Sequence, residues 1–403
     1  MNRHWHIMDA SLEDCRGAEY WGARALTQEL ARRGIEYTVY GNRALKNTVL
    51  PDLRAVPLFD FSLYVSVLRV DDWAEIEDFI LMNRTFQANL SQIDHRTLRG
   101  SNVLFPTTTH RQILGIMRWI GAMPAESRPA VALTLLFPPD WTQPRRPDAD
   151  PASFYRRLWS SCAPEVRSRI AACVQTEEIA REYEPVLGFR PRVLPYYMDW
   201  ISGPADPRAG DLLRRNPSDI AIACLGVSRG EKGYHLLPEV AALCRAADPR
   251  TQFIVQSTES TDPLVHEARK RLEAQPNIRL MVGSFEPAAY SSVLGGADLV
   301  LLPYYPPDYL TRSSGVFLQA AAAGVPVVVP AGTWMADRVQ RDGNGVAFDA
   351  FTPQSVARAT LAAIARLEPL RAAAHRHAAE FRPQNGTAAY VDAIIAATAS
   401  IGT

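Results

Sequence analysis

Two cations, Arg229 and Lys232, stand close together in the segment LGVSRGEKGYHLLPEV, flanked by Gly230 and Gly233. An apolar strand pattern runs up to Val227, and a helical pattern begins near Tyr234. Two positive charges on a short glycine-bearing loop, between a strand end and a helix start, can neutralise a departing diphosphate. The same two residues would also serve as ordinary solvated loop charges. About eighty residues further on, LVLLPYYPPDYLTRSSGVFLQAAAAGVPVVVP places Arg312, Ser313, Ser314 and Gly315 between a buried strand and a small-residue helix. The free N–H groups and hydroxyls of such a helix start form an anion site, although a serine N-cap accounts for the same letters. Asp308 and Tyr309, in the proline-bordered loop just before, either contact a ligand or shape a turn. Glu19 opens the first helix, where it could address a hydroxyl or simply complement the helix dipole. His110 follows a predicted strand at the head of RQILGIMRWI, from which it either reaches a cleft as a polar contact or stays exposed. His4 and His6 alternate on the first strand and His375 and His377 share a late helix. Neither pair has a third ligand at metal spacing, so no metal site is expected.

These candidates need elements to hold them. The chain has 403 residues, with 43 Lys and Arg against 43 Asp and Glu, 47% apolar and 21% charged residues. That balance supports two or three ordinary domains with sizeable cores and gives no bulk charge for nucleic acid. Five cysteines without a C-x-x-C pair argue against a disulfide framework or a thiolate zinc site. No apolar run reaches the roughly 18 residues of a spanning helix, and the first residues lack a signal-peptide core, so a cytoplasmic protein is expected. Lysine occurs only at positions 46, 232 and 270 among many arginines, which makes Lys232 in its glycine loop more notable.

The N-terminal half gives a short apolar strand, a glycine turn, the helix GAEYWGARALTQELARRG and the strand 35–41. Strands over 102–109 and 130–137 flank the helix RQILGIMRWIGAM, and residues 169–200 give strand, helix and strand. A polar stretch punctuated by Pro and Gly over 202–217 marks a domain junction. From Asp219 onward strand and helix alternate regularly, through DIAIACLGV, QFIVQS, IRLMVGS, ADLVLLPY and VPVVVP. Such repetition, with strands buried on both faces, predicts a doubly wound parallel sheet. The first half reads as a less regular version of the same architecture.

The order of these pieces resembles the GT-B glycosyltransferases, most closely the large retaining family 4 and its relatives. GSFEPAAYSSVLGGADLVLLPY and GVFLQAAAAGVPVVVPAG resemble the family's turn, helix and strand around its phosphate helix. CRGAEYWGARALTQELARRGIEYTVY resembles its first glycine loop and helix. VLPYYMDW resembles the strand end before its linker, and FRPQNGTAAYVDAIIAA the helix that crosses back to the first domain. The resemblance implies an α/β GT-B fold of two Rossmann-like doubly wound domains facing a central cleft. An N-terminal acceptor domain would cover 1–203 plus a crossover helix at about 386–400, and a nucleotide-sugar domain 204–385.

By the same resemblance, Arg229 and Lys232 would bind the diphosphate, and Ser313, Ser314 and Gly315 would form the phosphate-contacting helix start beside Arg312 and Tyr309. Gly17 would match the N-terminal glycine loop, the backbone around Ser284 and Phe285 would hold the base, and His110 could stand in for an absent strand-end histidine. Relatives usually carry Glu-x7-Glu across the phosphate helix, and here the matching positions are Thr311 and Gln319. Gln319 can still hydrogen-bond a ribose hydroxyl, whereas Thr311 brings no charge. The implied activity is sugar transfer from a nucleotide-diphosphate sugar to an acceptor hydroxyl, with retention and without cofactor or metal. The acceptor would be a glycan, a lipid-linked sugar or a protein. Apart from the resemblance, Arg118 and Trp119 in RWIGAM either give a peripheral membrane contact or are ordinary surface and core residues of a helix. A silent nucleotide-sugar or glycan binder and a nucleotide-sugar epimerase are the alternatives on this fold.

Overall fold

The computed structural model describes residues 4–15, 17–46, 53, 55–63, 72–139, 152–197, 216 and 218–401. The chain divides into two compact units, Met1–Tyr197 with Thr387–Thr403, and Met198–Gly386. The expected junction at 203/204 falls outside the described residues.

In the first unit β1 (Trp5–Met8), α1 (Gly17–Arg32), β2 (Tyr37–Asn42), β3 (Ala55–Phe59), α2 (Asp72–Leu90), β4 (Asn102–Thr108), α3 (His110–Ala122), β5 (Ala130–Leu135), α4 (Ala152–Ser160), β6 (Ile170–Val174), α5 (Glu177–Leu187) and β7 (Arg192–Val193) alternate along the chain. Every strand pair is parallel, in the order β3-β2-β1-β4-β5-β6-β7. The central strands β1 and β5 are buried along their whole length, as a sheet covered by helices on both sides requires. The core therefore lies in two layers. Val103, Phe105, Leu133 and Leu135 pack towards α2 and α3, while Ile7, Val39, Leu104 and Ala132 pack towards α1. Helix starts are fixed by their own sequence: Thr109 and Gln112 form a reciprocal capping box on α3, and Thr176 accepts from the Ile179 N–H on α5.

A last helix closes this unit from the far end of the sequence. Its Tyr390, Val391, Ile394 and Ala397 enter the same layer as Ile7 and Leu26. Arg33 ties it to α1 through an ion pair with Asp392 and a 3.0 Å hydrogen bond to the Ala388 carbonyl. The apolar spacing of TAAYVDAIIAATA is thus satisfied by a core nearly 400 residues upstream in sequence.

The second unit contains β8 (Ile220–Cys224), α6 (Leu237–Ala247), β9 (Thr251–Ser257), α7 (Pro263–Glu273), β10 (Ile278–Val282), α8 (Pro287–Gly296), β11 (Leu299–Leu301), α9 (Gly315–Ala323), β12 (Val327–Pro330), α10 (Trp334–Asp342), β13 (Gly345–Phe348), α11 (Pro353–Ile364) and α12 (Leu367–Gln384); the closing helix of the first unit, α13 (Thr387–Ala399), follows. The sheet order is β10-β9-β8-β11-β12-β13, again all parallel. In both sheets the chain starts in the middle, winds to one edge and then crosses to the other side of the first strand. The point of reversal, between β1 and β4 and between β8 and β11, is where open α/β sheets bind ligands.

Three details differ from the sequence reading. The strand expected to reach Val227 stops at Cys224, because Gly226 turns the chain at φ +103° and leaves Val227 42% exposed. β10 is an edge strand with Arg279 and Val282 exposed, so it is not buried on both faces. The helix expected near Tyr234 begins as short 3-10 turns, Gly230–Lys232 and Tyr234–Leu236, with α6 proper starting at Leu237 and Pro238 in its first turn.

Burial of His6 on β1 gives the first unit a defined acid response. Its ring is 3% exposed, and loss of hydration, with His4 beside it, lowers its pKa from 6.5 to about 4. Below pH 6.5 the unfolded chain takes up a proton that the folded chain does not, so stability falls as pH drops and levels off below about pH 4. The loss expected from this side chain is about 3 kcal/mol. Denaturant unfolding at pH 7 and pH 4 measures it, and a His6→Leu variant should lose that share of the pH dependence.

Candidate functional site

The site builds from the reversal point of the second sheet. The loop after β8 leaves through Gly226, whose N–H donates to Gln256 Oε1 at 2.8 Å. Gln256, near the end of β9, donates in turn to the Gly283 carbonyl at 3.0 Å. Ser228 and Thr258 exchange hydrogen bonds between the same two loops, at 2.9 and 3.0 Å. The Tyr305 N–H reaches the Glu231 carbonyl at 2.8 Å, joining the β8 loop to the β11 loop. The ends of β8, β9 and β10 are therefore tied together through polar side chains, and the β11 loop through a backbone hydrogen bond.

Within that frame Lys232 turns inward. Its ammonium lies 5.6 Å from the centre of the Tyr304 ring, within cation–π range. A Cβ on Gly226 would stand 3.1 Å from Lys232 Nζ and 3.2 Å from Val316 Cγ2. Glycine at 226 thus makes the room that lets the lysine lie between the end of β8 and the start of α9. Cys224, Gly226, Lys232, Tyr234, Gln256 and Tyr304 line a pocket there. Loss of hydration, reinforced by Arg229 and Arg312 and only partly offset by Glu231, lowers the Lys232 pKa to about 8. Lys232 is thus half-buried rather than a fully solvated loop charge. Arg229 is 43% exposed at the side chain, with Glu231 at 3.5 Å.

The loop after β11 supplies the opposite wall. Tyr304 and Tyr309 are both 2% exposed, and their rings lie 4.6 Å apart. The Arg312 guanidinium sits 5.1 Å from the Tyr309 ring centre. Ser314 is the N-cap of α9 and accepts from the Phe317 N–H at 3.3 Å. The N–H groups of Gly315 and Val316 have no partner among the described residues, and a Cβ on Gly315 would meet nothing within 4 Å. Nothing in the fold requires glycine at 315; its effect is to leave open space above two unmatched donors. Thr311, Arg312 and Ser313 flank that opening. Gln319, one turn deeper, is 7% exposed and accepts a short hydrogen bond from the Tyr290 hydroxyl of α8.

Arg229, Lys232, Tyr309, Thr311, Arg312, Ser313, Ser314, Gly315 and Gln319 all belong to the loops after β8 and β11 or to α9. Ser284 and Phe285 follow β10 at the sheet edge, two strands from β8, with Phe285 6.3 Å from Tyr290. Gly17 and His110 lie in the other unit, at the starts of α1 and α3. His110 is not the exposed helix residue that the sequence also allowed. Its ring stacks on Phe79 at 6.2 Å and meets Tyr155 edge-on at 6.5 Å, and burial beside Arg111 lowers its pKa to about 3. It is a neutral imidazole at any ordinary pH. The sequence reading passed over Tyr304, Tyr290, Gln256 and Gly226. A partial signal existed for Tyr304, the first side chain after LLP at the end of β11 that can carry a cation.

Among the described residues no group of three His, Cys, Asp or Glu side chains is placed to hold a metal ion. No helix there is long and apolar enough to cross a membrane.

Two Rossmann-like units with parallel sheets, the last helix returning to the first unit, define the GT-B fold. Residues 219–366 match the family described as Glycosyl transferases group 1. Solved structures alike over the whole length include sucrose-phosphate synthase from Thermosynechococcus elongatus, at 13% identity and TM-score 0.67, covering 99% of this chain and 97% of that one. HepE from Anabaena, in complex with UDP and glucose, has 12% identity and TM-score 0.66 over 99% and 100% of the two chains. The α,α-trehalose 6-phosphate synthase from Burkholderia multivorans has 10% identity and TM-score 0.65 over 100% and 99%. None of the curated proteins matches this sequence.

Proposed function

We propose that the protein transfers a sugar from a nucleotide-diphosphate sugar to an acceptor hydroxyl, with retention of configuration and without a metal ion. The observation that carries this reading is the grouping of Lys232, Arg229 and Arg312, close enough to depress the lysine's pKa, around unmatched N–H groups at the start of α9. Three like charges so placed repel one another, and Glu231 offsets this only in part. A diphosphate is the ligand that relieves the repulsion and satisfies the helix start together. HepE binds UDP and glucose on the same fold, which favours a uridine nucleotide as the first donor to try.

In this reading the acceptor hydroxyl forms its bond to the anomeric carbon on the face from which the diphosphate departs. The carbon–oxygen bond to phosphate breaks, the cations and the helix dipole take up the charge left on the diphosphate, and the leaving phosphate oxygen accepts the hydroxyl proton. No protein nucleophile is needed, so Thr311 and Gln319 in place of carboxylates do not forbid the reaction. The first unit would hold the acceptor.

A thermal-shift panel of nucleotides and nucleotide sugars tests the donor half. A ligand that binds only the folded chain at a hundred times its dissociation constant adds about 2.7 kcal/mol of stability. UDP and a UDP-sugar should raise the melting temperature. If no nucleotide does so in folded protein, the reading is wrong. If a nucleotide sugar binds but is never consumed, with water or with any acceptor, the silent-binder alternative takes its place, as the uncharged Thr311 and Gln319 would then explain.

A further inference from the structure

Tyr304 follows Leu302 and Pro303 after β11, at the reversal point of the second sheet. It is 2% exposed, and its hydroxyl is a buried polar group with no hydrogen bond to any described residue. Such a group is costly to leave unmatched, and most in folded chains are paired. Its ring is well placed among charges. Lys232 Nζ lies 5.6 Å from the ring centre, and Tyr309 packs at 4.6 Å with the Arg312 guanidinium 5.1 Å beyond it. Tyr304 therefore meets one cation directly and a second through Tyr309, and it lines the pocket beside Gly226 together with Lys232. Val316, in the first turn of α9, borders the same gap at Gly226. Ser314, the N-cap of α9, also acts on the Tyr304 hydroxyl. Its Oγ is engaged by the Phe317 N–H at 3.3 Å, however, and no hydrogen bond joins the two side chains. A proton donor with nothing to donate to is thus enclosed by groups that attract an anion.

We propose that Tyr304 is a further diphosphate-contacting residue, whose hydroxyl donates a hydrogen bond to a phosphate oxygen while its ring holds the Lys232 ammonium in place. A phosphate oxygen is the acceptor that the cations and the start of α9 draw to this position, and hydrogen bonds to an ionised acceptor are about twice as strong as neutral ones. Burial, with Tyr309 beside it, pushes the Tyr304 pKa well above its usual value. The hydroxyl therefore keeps its proton at working pH and serves a phosphate only as a donor. A water molecule would accept the same proton but bring no charge to offset Lys232, Arg229 and Arg312. Naming the ligand a diphosphate rests on the sugar-transfer reading; the anion contact itself does not.

The test titrates inorganic pyrophosphate, and UDP in parallel, calorimetrically into the full-length wild type and the Tyr304→Phe and Tyr304→Leu variants. Tyr304→Phe keeps the ring and removes only the oxygen. It should melt at the wild-type temperature or above, because an unmatched buried hydroxyl is gone, and yet bind both ligands roughly tenfold more weakly or worse. A tyrosine needed only for packing gives the reverse, a lower melting temperature with unchanged affinity. The part played by the ring is read from pH, the ionisation of pyrophosphate itself being common to all three proteins. Affinity of the wild type and of Tyr304→Phe should fall over the same interval near pH 8, where Lys232 loses its proton. Tyr304→Leu has no ring to favour the charged lysine, so its fall should begin at lower pH. Equal affinity in Tyr304→Phe and the wild type overturns the hydroxyl contact and leaves the donor reading intact, and an unshifted fall in Tyr304→Leu overturns the role of the ring. A folded wild type that binds neither pyrophosphate nor UDP overturns the inference and the donor reading together.

Discussion

Lys232→Ala and Arg229→Ala variants are each expected to lose roughly a hundredfold in turnover, with the larger loss at Lys232, while both remain folded. Groups that stabilise developing charge in a water-poor site are worth about that much. The two positions differ in setting: Lys232 is enclosed by Gly226, Tyr304 and Val316, whereas Arg229 is nearly half exposed and already faces Glu231. Glu231 already offsets part of the charge of Arg229 and solvent can replace part of what remains, whereas the lysine is held against Tyr304 and Gly226.

The lysine also sets a pH limit. Its pKa near 8 means that charge is present below that value and lost above it. Turnover at low donor concentration, which reports the free enzyme, should therefore fall as pH passes about 8. At saturating donor the bound phosphates supply negative charge, hold the proton on the lysine and move the fall to higher pH. Arginine in place of Lys232 should remove the limit without restoring full activity, because the pocket beside Gly226 is shaped for a slender side chain. Steady-state kinetics at low and saturating donor between pH 6 and 10 measure all of this. A flat profile with wild-type rates in Lys232→Ala would remove the diphosphate assignment.

The lysine also shows where a sequence can be read and where it cannot. Its place at a strand end in a glycine loop was legible from a buried run followed by Gly, Lys and Gly, and so was the strand–helix alternation around it, because parallel strands covered on both sides are written as nearly continuous apolar runs. Its burial was not legible. That depends on Tyr304, some seventy residues away, and on a gap at Gly226 that appears only once β8 and β11 lie next to each other. The same holds for Gln319: its difference from a carboxylate is visible in the letters, but its bond to Tyr290 requires α8 and α9 to be in place. Asp9 is the opposite case. It ends a strand and is acidic, yet an aspartate after a strand most often caps a turn, and this one does cap Ser11. What sets it apart is its burial, which together with Glu19 raises its pKa to about 7, a property that a linear sequence does not display. The expected end of β8 at Val227 missed for a local reason, since apolar letters continue past the glycine that actually turns the chain.

Two glycines of the donor loops should respond in opposite ways to the same substitution. Gly233 has φ +67°, and a Cβ there would lie 1.9 Å from the Pro303 carbonyl oxygen, an atom of the backbone that cannot move aside cheaply. Gly233→Ala must open the contact between the β8 and β11 loops, and with the left-handed strain this should cost on the order of 3 kcal/mol. That corresponds to a fall of roughly 10 °C in the melting of the second unit. Gly315 has neither an unusual φ nor a neighbour within 4 Å of a Cβ, and alanine suits the first turn of a helix better than glycine does. Gly315→Ala should therefore melt at the wild-type temperature or slightly above. Its methyl group would occupy the space over the unmatched N–H groups of α9, so nucleotide affinity should drop at least tenfold, or about 1.4 kcal/mol. Melting curves with and without UDP separate the two effects. A Gly315→Ala protein that keeps both its stability and its nucleotide affinity would show that the phosphates do not approach α9, and the donor would then have to be held by Lys232 and the arginines without the helix start.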